Sequence, residues 1–207
     1  MVVLGVTGGI ASGKSTVGRL LQARGAFIID ADQVARELLA PGQELTEKVI
    51  RAFGEAVKRP GGGLDRAAIA RIIFADREAR ERLNRITHPP VIAEIEKRIK
   101  RVLRSPARPP VVAVIAPLLF EAGVERLVDK VLVVTAKETE QIRRLRERDG
   151  LSEAEARQRI AAQMPMEEKC RRGDWVVDTT RGEVVTETAV DAVWRELVGS
   201  GPATATS

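Results

Sequence analysis

The sequence contains no tyrosine, and aromatic residues make up only 3% of its 207 positions. That scarcity argues against the stacked aromatic platforms on which single-stranded nucleic acids are held. A single cysteine, Cys170, excludes an internal disulfide framework and suits a reducing cytoplasm. No apolar run reaches the length of a membrane span. Met1 leads directly into an apolar run with no charged-then-apolar leader, so the expected location is cytoplasmic. A net charge of +5 invites a nucleic-acid reading, but acidic residues are interleaved with the arginines along several helical stretches. Small polyphosphate substrates account for that excess equally well. The expected partners are therefore small molecules, with no nucleic acid and no membrane, in a monomer or small homo-oligomer.

What is present is a globular composition, 44% hydrophobic and 30% charged. Five continuous apolar runs read as buried parallel strands: Val2 to Val6, Ala26 to Ile29, Val111 to Ile115, Val131 to Val134 and Trp175 to Val177. Helical patterns fall between them, which predicts an α/β fold, a three-layer α/β/α core around a five-stranded parallel sheet. Residues 33–106 contain no convincing strand and show apolar positions at helical spacing, so they predict an inserted helical lobe. The resulting organisation is a nucleotide-binding core (1–32, 107–136 and 167–198), the lobe at 33–106, a helical lid at 137–166 and a disordered tail at 199–207. Asp65 is an expected helix cap, and Ser152 with Glu155 an expected capping box.

The most informative segment is Gly8-Gly9-Ile10-Ala11-Ser12-Gly13-Lys14-Ser15-Thr16, a G-x-x-x-x-G-K-S loop between an apolar run and a helical pattern. Glycines let backbone N–H groups turn toward phosphate oxygens, and the following helix adds positive partial charge. Lys14 is expected on the β- and γ-phosphates, with the Ser15 hydroxyl on Mg²⁺. The loop predicts ATP or a related nucleoside triphosphate as ligand.

Other chemistry-bearing residues admit two roles each. Asp30 and Asp32 end the second strand, where ligands of open parallel sheets lie, and alternation places them on one side. One of them suits a base for an attacking hydroxyl, and Asp30 also suits a helix cap. Pro117 ends the third strand. Leu118, Leu119 and Phe120 then suit a substrate pocket, while Glu121 suits either the metal region or a solvated turn. His88, before Pro89-Pro90, suits either a satisfied structural histidine at a helix start or a phosphate or hydroxyl donor in the helical lobe. Arg144 and Arg148 share a helical face with Gln141 one turn earlier; they suit either polyphosphate or ordinary pairing with Glu147 and Asp149.

Taken together, the loop, Asp30-Ala31-Asp32, Thr87-His88-Pro89, Pro117-Leu118-Leu119-Phe120-Glu121 and Gln141-x-x-Arg144-x-x-x-Arg148-Asp149-Gly150 resemble the dephospho-CoA kinase family. Arg159-Ile160, Gln163, Lys169 and Gly173-Asp174-Trp175-Val176-Val177-Asp178 follow the same spacing, so the resemblance spans about residues 1–198. It implies a P-loop kinase core with a CoA-binding lobe and a mobile lid. The implied reaction is MgATP-dependent phosphorylation of the ribose 3′-hydroxyl of dephospho-CoA, the last step of coenzyme A synthesis. By motif, the resemblance makes Asp32 the base or orienting carboxylate and puts His88 and Pro117 to Glu121 on the acceptor. Lys14 and Arg144 join Asp32 in the chemistry, and Arg144 and Arg148 become lid residues that meet ATP on closure. One departure stands out: Thr179 occupies a position where the family usually has asparagine, so an adenine contact by that side chain does not transfer.

Overall fold

The computed structural model describes residues 1–199 of the chain. They fold as two compact units, one made of Met1–Ile29 and the chain from Ile99 onward, the other of Asp30–Arg98.

The first unit is built on a five-stranded sheet of order β2-β3-β1-β4-β5. Its strands are β1 (Val2–Gly8), β2 (Phe27–Asp30), β3 (Val111–Ile115), β4 (Lys130–Thr135) and β5 (Trp175–Asp178). β1 pairs in parallel with β3 and β4, and β4 in parallel with β5, so the strand that leads into the phosphate-type loop is central. Both faces of β1, β3 and β4 are covered, which is why their sequences read as unbroken apolar runs. On one face, Leu4, Val6, Val111, Ala113, Leu132 and Val134 pack against Val17 and Leu21 of α1 (Lys14–Ala23) and Val190, Val193 and Leu197 of α9 (Glu183–Gly199). On the other face Gly5 faces the side chains of Leu119 and Val128. After β4 come α6 (Glu138–Asp149), α7 (Glu153–Ala161) and α8 (Met166–Arg172). Ser152 and Glu155 form the expected capping box of α7. Gly150 closes α6 in the left-handed conformation at φ 68°. The segment expected as a lid, 137–166, belongs to the same compact unit as the sheet.

The second unit holds α2 (Ala31–Leu38), α3 (Glu44–Phe53), α4 (Arg66–Ala75) and most of α5 (Arg77–Leu103). Its centre is Val49, Ile50, Val57, Leu64 and Ile69, with Leu39, Phe53, Ile72, Ile73, Leu83 and Ile86 packed around them. Asp65 caps α4 by accepting from the N–H groups of Ala67 and Ala68. Strand pairing in this unit amounts to one isolated bridge, Lys58 with Leu64, across the Pro60-Gly63 turn.

Two expectations are corrected here. His88 does not start a helix: α5 runs through Thr87-His88-Pro89-Pro90 without a break. The prolines cannot donate to the carbonyls one turn earlier, and the Thr87 hydroxyl bonds the Leu83 carbonyl at 2.9 Å in the same stretch. Gly199, placed in the tail from sequence, is the last residue of α9, while residues 200–207 lie outside the described part of the chain. Among the described residues no helix is long and apolar enough to cross a membrane.

The burial pattern makes a simple forecast. Leu132 is fully buried in β4, so Leu132→Ala should cost about 2–5 kcal/mol through lost transfer energy and a residual cavity. Val176, 48% exposed on β5, should tolerate Val176→Thr within about 0.5 kcal/mol. Chemical denaturation of the two variants beside the parent measures both differences.

Candidate active site

β1 ends at Gly8 and α1 begins at Lys14, so the glycine-rich segment is the turn that connects a central strand to a helix. Gly8 sits at φ 149°, and a Cβ there would lie 2.0 Å from the carbonyl oxygen of Val134. Gly13 caps α1 from the left-handed region at φ 90°. Ala11, at φ 55°, is the one non-glycine residue with positive φ among the described residues. Backbone held in so sparsely populated a conformation marks a site that its surroundings over-determine. The start of α1 carries the positive end of the helix dipole, with the Gly13 carbonyl already taking the N–H groups of Thr16 and Val17. Lys14 lies within the loop, its Nζ donating to the carbonyls of Gly8 at 3.1 Å and Gly9 at 2.6 Å.

The outward backbone of this loop is fastened by side chains from three other segments. Gln163 accepts from the Ile10 N–H at 2.7 Å, and Gln141 donates to the Ile10 carbonyl at 2.7 Å. Arg144 donates to the Ala11 carbonyl at 3.1 Å. The Thr179 hydroxyl donates to the Ser12 carbonyl at 2.8 Å and accepts from Arg144 at 3.0 Å, while the Thr179 carbonyl accepts a further Arg144 bond at 3.1 Å. Arg144 is thus seated on the backbone of the loop in this structure. Arg148 forms a two-bond pair with the neighbouring Asp149, both bonds at 2.8 Å. Thr179, noted from sequence only as a departure, is a buried joint between loop and arginine.

A cavity of about 520 Å³ opens beside the loop, lined by Gly13, Ser15, Thr16, Arg144, Arg148 and Gly182 among others. A groove of similar size, about 530 Å³, lies along α6 and α7 at Ile142, Arg146 and Leu151 and contains no loop residue. Ser15 is exposed and offers its hydroxyl to the first cavity. Among the described residues no cluster of three or more His, Cys, Asp or Glu side chains could hold a metal. The Ser15 hydroxyl at the cavity is a donor of the kind that fits Mg²⁺, which keeps several waters and is commonly bound through substrate phosphates with few protein ligands.

The segment after β3 departs from expectation. Leu119 is fully buried and Phe120 is 7% exposed, so neither lines an open pocket; Phe120 lies under the Arg172 guanidinium at 4.1 Å. Leu118 is exposed at 38%. Glu121 is committed to Lys169 at 2.8 Å and to the Met164 N–H at 3.2 Å. Sequence reasoning recorded the spacing of Gln163 and Lys169 without a role, because nothing local announces that a lysine near a helix end is fully buried.

In the second unit, Asp30 is the cap of α2, accepting from the N–H groups of Asp32 and Gln33 at 2.8 and 3.1 Å. Alternation along a strand end was expected for the two aspartates, but Asp32 already belongs to the first helical turn of α2. Asp32 lines a cavity of about 340 Å³ with Arg36, Leu39, Arg66 and Ile69. His88 is half-buried, and burial pushes its imidazole below the usual range, favouring the neutral ring at pH 7.

A strand–G-x-x-x-x-G-K-S–helix on the central strand of a parallel sheet, with an arginine seated on the loop, defines a P-loop kinase. The family model for dephospho-CoA kinase matches residues 2–184. A dephospho-CoA kinase of Geobacter sulfurreducens is 48% identical over 194 residues, covering 94% of this chain and 98% of that protein. Among solved structures, TT1252 from Thermus thermophilus shares 38% identity at a TM-score of 0.78, covering 95% of this chain and 97% of its own. A dephospho-CoA kinase from Campylobacter jejuni shares 28% identity at a TM-score of 0.69, over 95% of this chain and 97% of its own. The chain belongs to the dephospho-CoA kinase family.

The charges around Arg144 give a pH forecast. Hydrogen bonds from Arg143, opposed by burial and reinforced by Arg144, hold the Glu140 carboxyl down to about 2 from 4.5. Because its folded pKa is the lower one, its contribution is complete above the unfolded value and is lost as pH falls toward 2. The melting difference between the parent and Glu140→Gln should therefore narrow steadily from about pH 5 to about pH 3.

Proposed function

We propose that residues 8–16 take the triphosphate of ATP, that Asp32 serves the acceptor hydroxyl, and that the cavity around Asp32 receives part of dephospho-CoA. The enzyme transfers the γ-phosphoryl group of ATP to the ribose 3′-hydroxyl of dephospho-CoA, giving coenzyme A and ADP. The observation that carries the assignment of the loop is its fastened backbone: the Ile10 N–H and the carbonyls of Ile10, Ala11 and Ser12 are bound from outside.

Phosphoryl transfer needs positioning and charge stabilisation more than covalent help. The first-turn N–H groups of α1 and the Lys14 ammonium supply fixed positive charge where the phosphates gather, and donors already in place need no reorganisation during reaction. Arg144 and Arg148 add charge along the same cavity wall. Ser15 would hold Mg²⁺, which when bound neutralises part of the phosphate charge. Asp32 accepts the proton of the attacking hydroxyl or orients it. Arg36 and Arg66 suit the diphosphate of the acceptor, with the apolar floor of Leu39 and Ile69 beneath. His88, held neutral, can give or take one hydrogen bond without adding charge.

The reaction is tested by ATP consumption with dephospho-CoA and by mass spectrometry of a product heavier by one phosphate. Lys14→Ala should lower kcat by about 10²-fold or more in a folded protein. Asp32→Asn should lower kcat by on the order of 10²–10⁴ while ATP binding persists. Near-normal turnover in either variant removes that residue from the chemistry.

A further inference from the structure

The reaction as described leaves one costly group unused. Lys169 is fully buried, the largest such side chain among the described residues. Burying an ammonium is unfavourable unless it is paired, and a methionine of similar shape would avoid that desolvation cost. Its Nζ donates to the Pro117 carbonyl at 2.8 Å and pairs with Glu121 Oε1 at 2.8 Å. The Pro117 carbonyl also accepts from the hydroxyl of Thr7, the residue just before the loop, at 3.3 Å. Glu121 Oε1 accepts the Met164 N–H, and the preceding residue is Gln163, whose Oε1 takes the Ile10 N–H. The links close a ring: Thr7 to Pro117, Lys169, Glu121, Met164, Gln163 and Ile10, then back through Gly9 and Gly8. The ring encloses the start of the loop. A cation–π contact of Arg172 on Phe120 and its pair with Glu125 at 3.1 Å press α8 onto the same segment.

We propose that Lys169 is a positioning residue for the ATP-binding loop, acting through Glu121 and Gln163 to hold the Ile10 peptide in its ligand-ready orientation. Without the ammonium, Glu121 loses its reason to stay under Met164. The turn at Gln163 is then released, and the Ile10 N–H loses its acceptor. The lysine itself touches no reacting atom in this scheme. The proposal rests on residues 8–16 being the nucleotide loop.

Three readings on each purified variant test it: the melting temperature, the Kd for ATP by calorimetry, and steady-state KM for each substrate. Gln163→Leu removes the last link at a partly exposed position, so folding should survive. It should weaken ATP binding by about tenfold, the scale of one hydrogen bond, with KM for dephospho-CoA unmoved. Glu121→Leu should weaken ATP binding likewise while also lowering the melting temperature, because it leaves the buried Lys169 ammonium without its carboxylate, and Glu121→Gln, which keeps an acceptor oxygen, should recover most of the loss in ATP affinity. The Glu121→Leu, Gln163→Leu double variant should be no weaker for ATP than the worse single variant, since both cut one path. Should Lys169→Met fail to fold, Lys169→Met with Glu121→Leu removes both charges together, and it should melt near the parent yet bind ATP weakly. Variants that melt lower but bind ATP as tightly as the parent would make the ring merely structural and overturn the proposal. Lys14→Ala run alongside separates the two levels: normal turnover there removes the loop assignment itself, whereas impaired turnover with unaffected ring variants removes only the role of Lys169.

Discussion

Much of this structure depends on satisfying four backbone groups of Ile10, Ala11 and Ser12 from outside. A loop that must aim N–H groups at phosphate cannot also spend its backbone on internal structure, so its remaining polar groups need partners elsewhere. Here Gln141, Arg144, Gln163 and Thr179 provide them, drawn from α6, the turn after α7 and the end of β5. The sheet order serves the same end. With β1 central, β4 and β5 bring their carboxyl ends to one side of the loop, and β3 brings the Pro117 segment to the other.

The cost of that arrangement is visible in the local geometry. Ala11 holds a positive φ, and Gly8 has no room for a side chain beside Val134. Such strain persists only where surrounding contacts outweigh it. The fully buried apolar residues of β1, β3 and β4 supply the rigid base, and the buried polar contacts around the loop supply direction. Polar contacts of this kind contribute modestly to stability, yet each leaves an unsatisfied group behind if one partner is removed.

Much of this was legible in the sequence, and the boundary between legible and hidden follows the range of the forces. All five strands appear as apolar runs, those of β1, β3 and β4 because both sheet faces are covered there, and the loop appears because its function needs fixed spacing. Asp65 and Ser152 were readable because capping is settled within four residues. Asp32 was assigned to extended chain because Asp30-Ala31-Asp32 follows a strand, whereas Asp30 caps a helix that already begins at Ala31. A helix start at His88 was suggested by the two prolines that follow it, whereas α5 carries both prolines inside its length. Leu119 and Phe120 were read as pocket residues because burial against Gly5 and Arg172 is decided by segments far away in sequence. Lys169 stayed silent for the same reason.

The scarcity of aromatic residues has an optical consequence. The two tryptophans, with no tyrosine anywhere, are the chain's only strong ultraviolet emitters. Trp175 stands on β5 with its indole N–H on Glu196 at 2.7 Å, and Trp194 stands on α9, both packed against one hydrophobic cluster. Intrinsic fluorescence of this protein therefore reports on one flank of the sheet unit, while residues 30–98 contain no tryptophan and are dark. Melting followed by emission would follow the β5–α9 flank alone, and the helical unit could unfold with little change in the light collected.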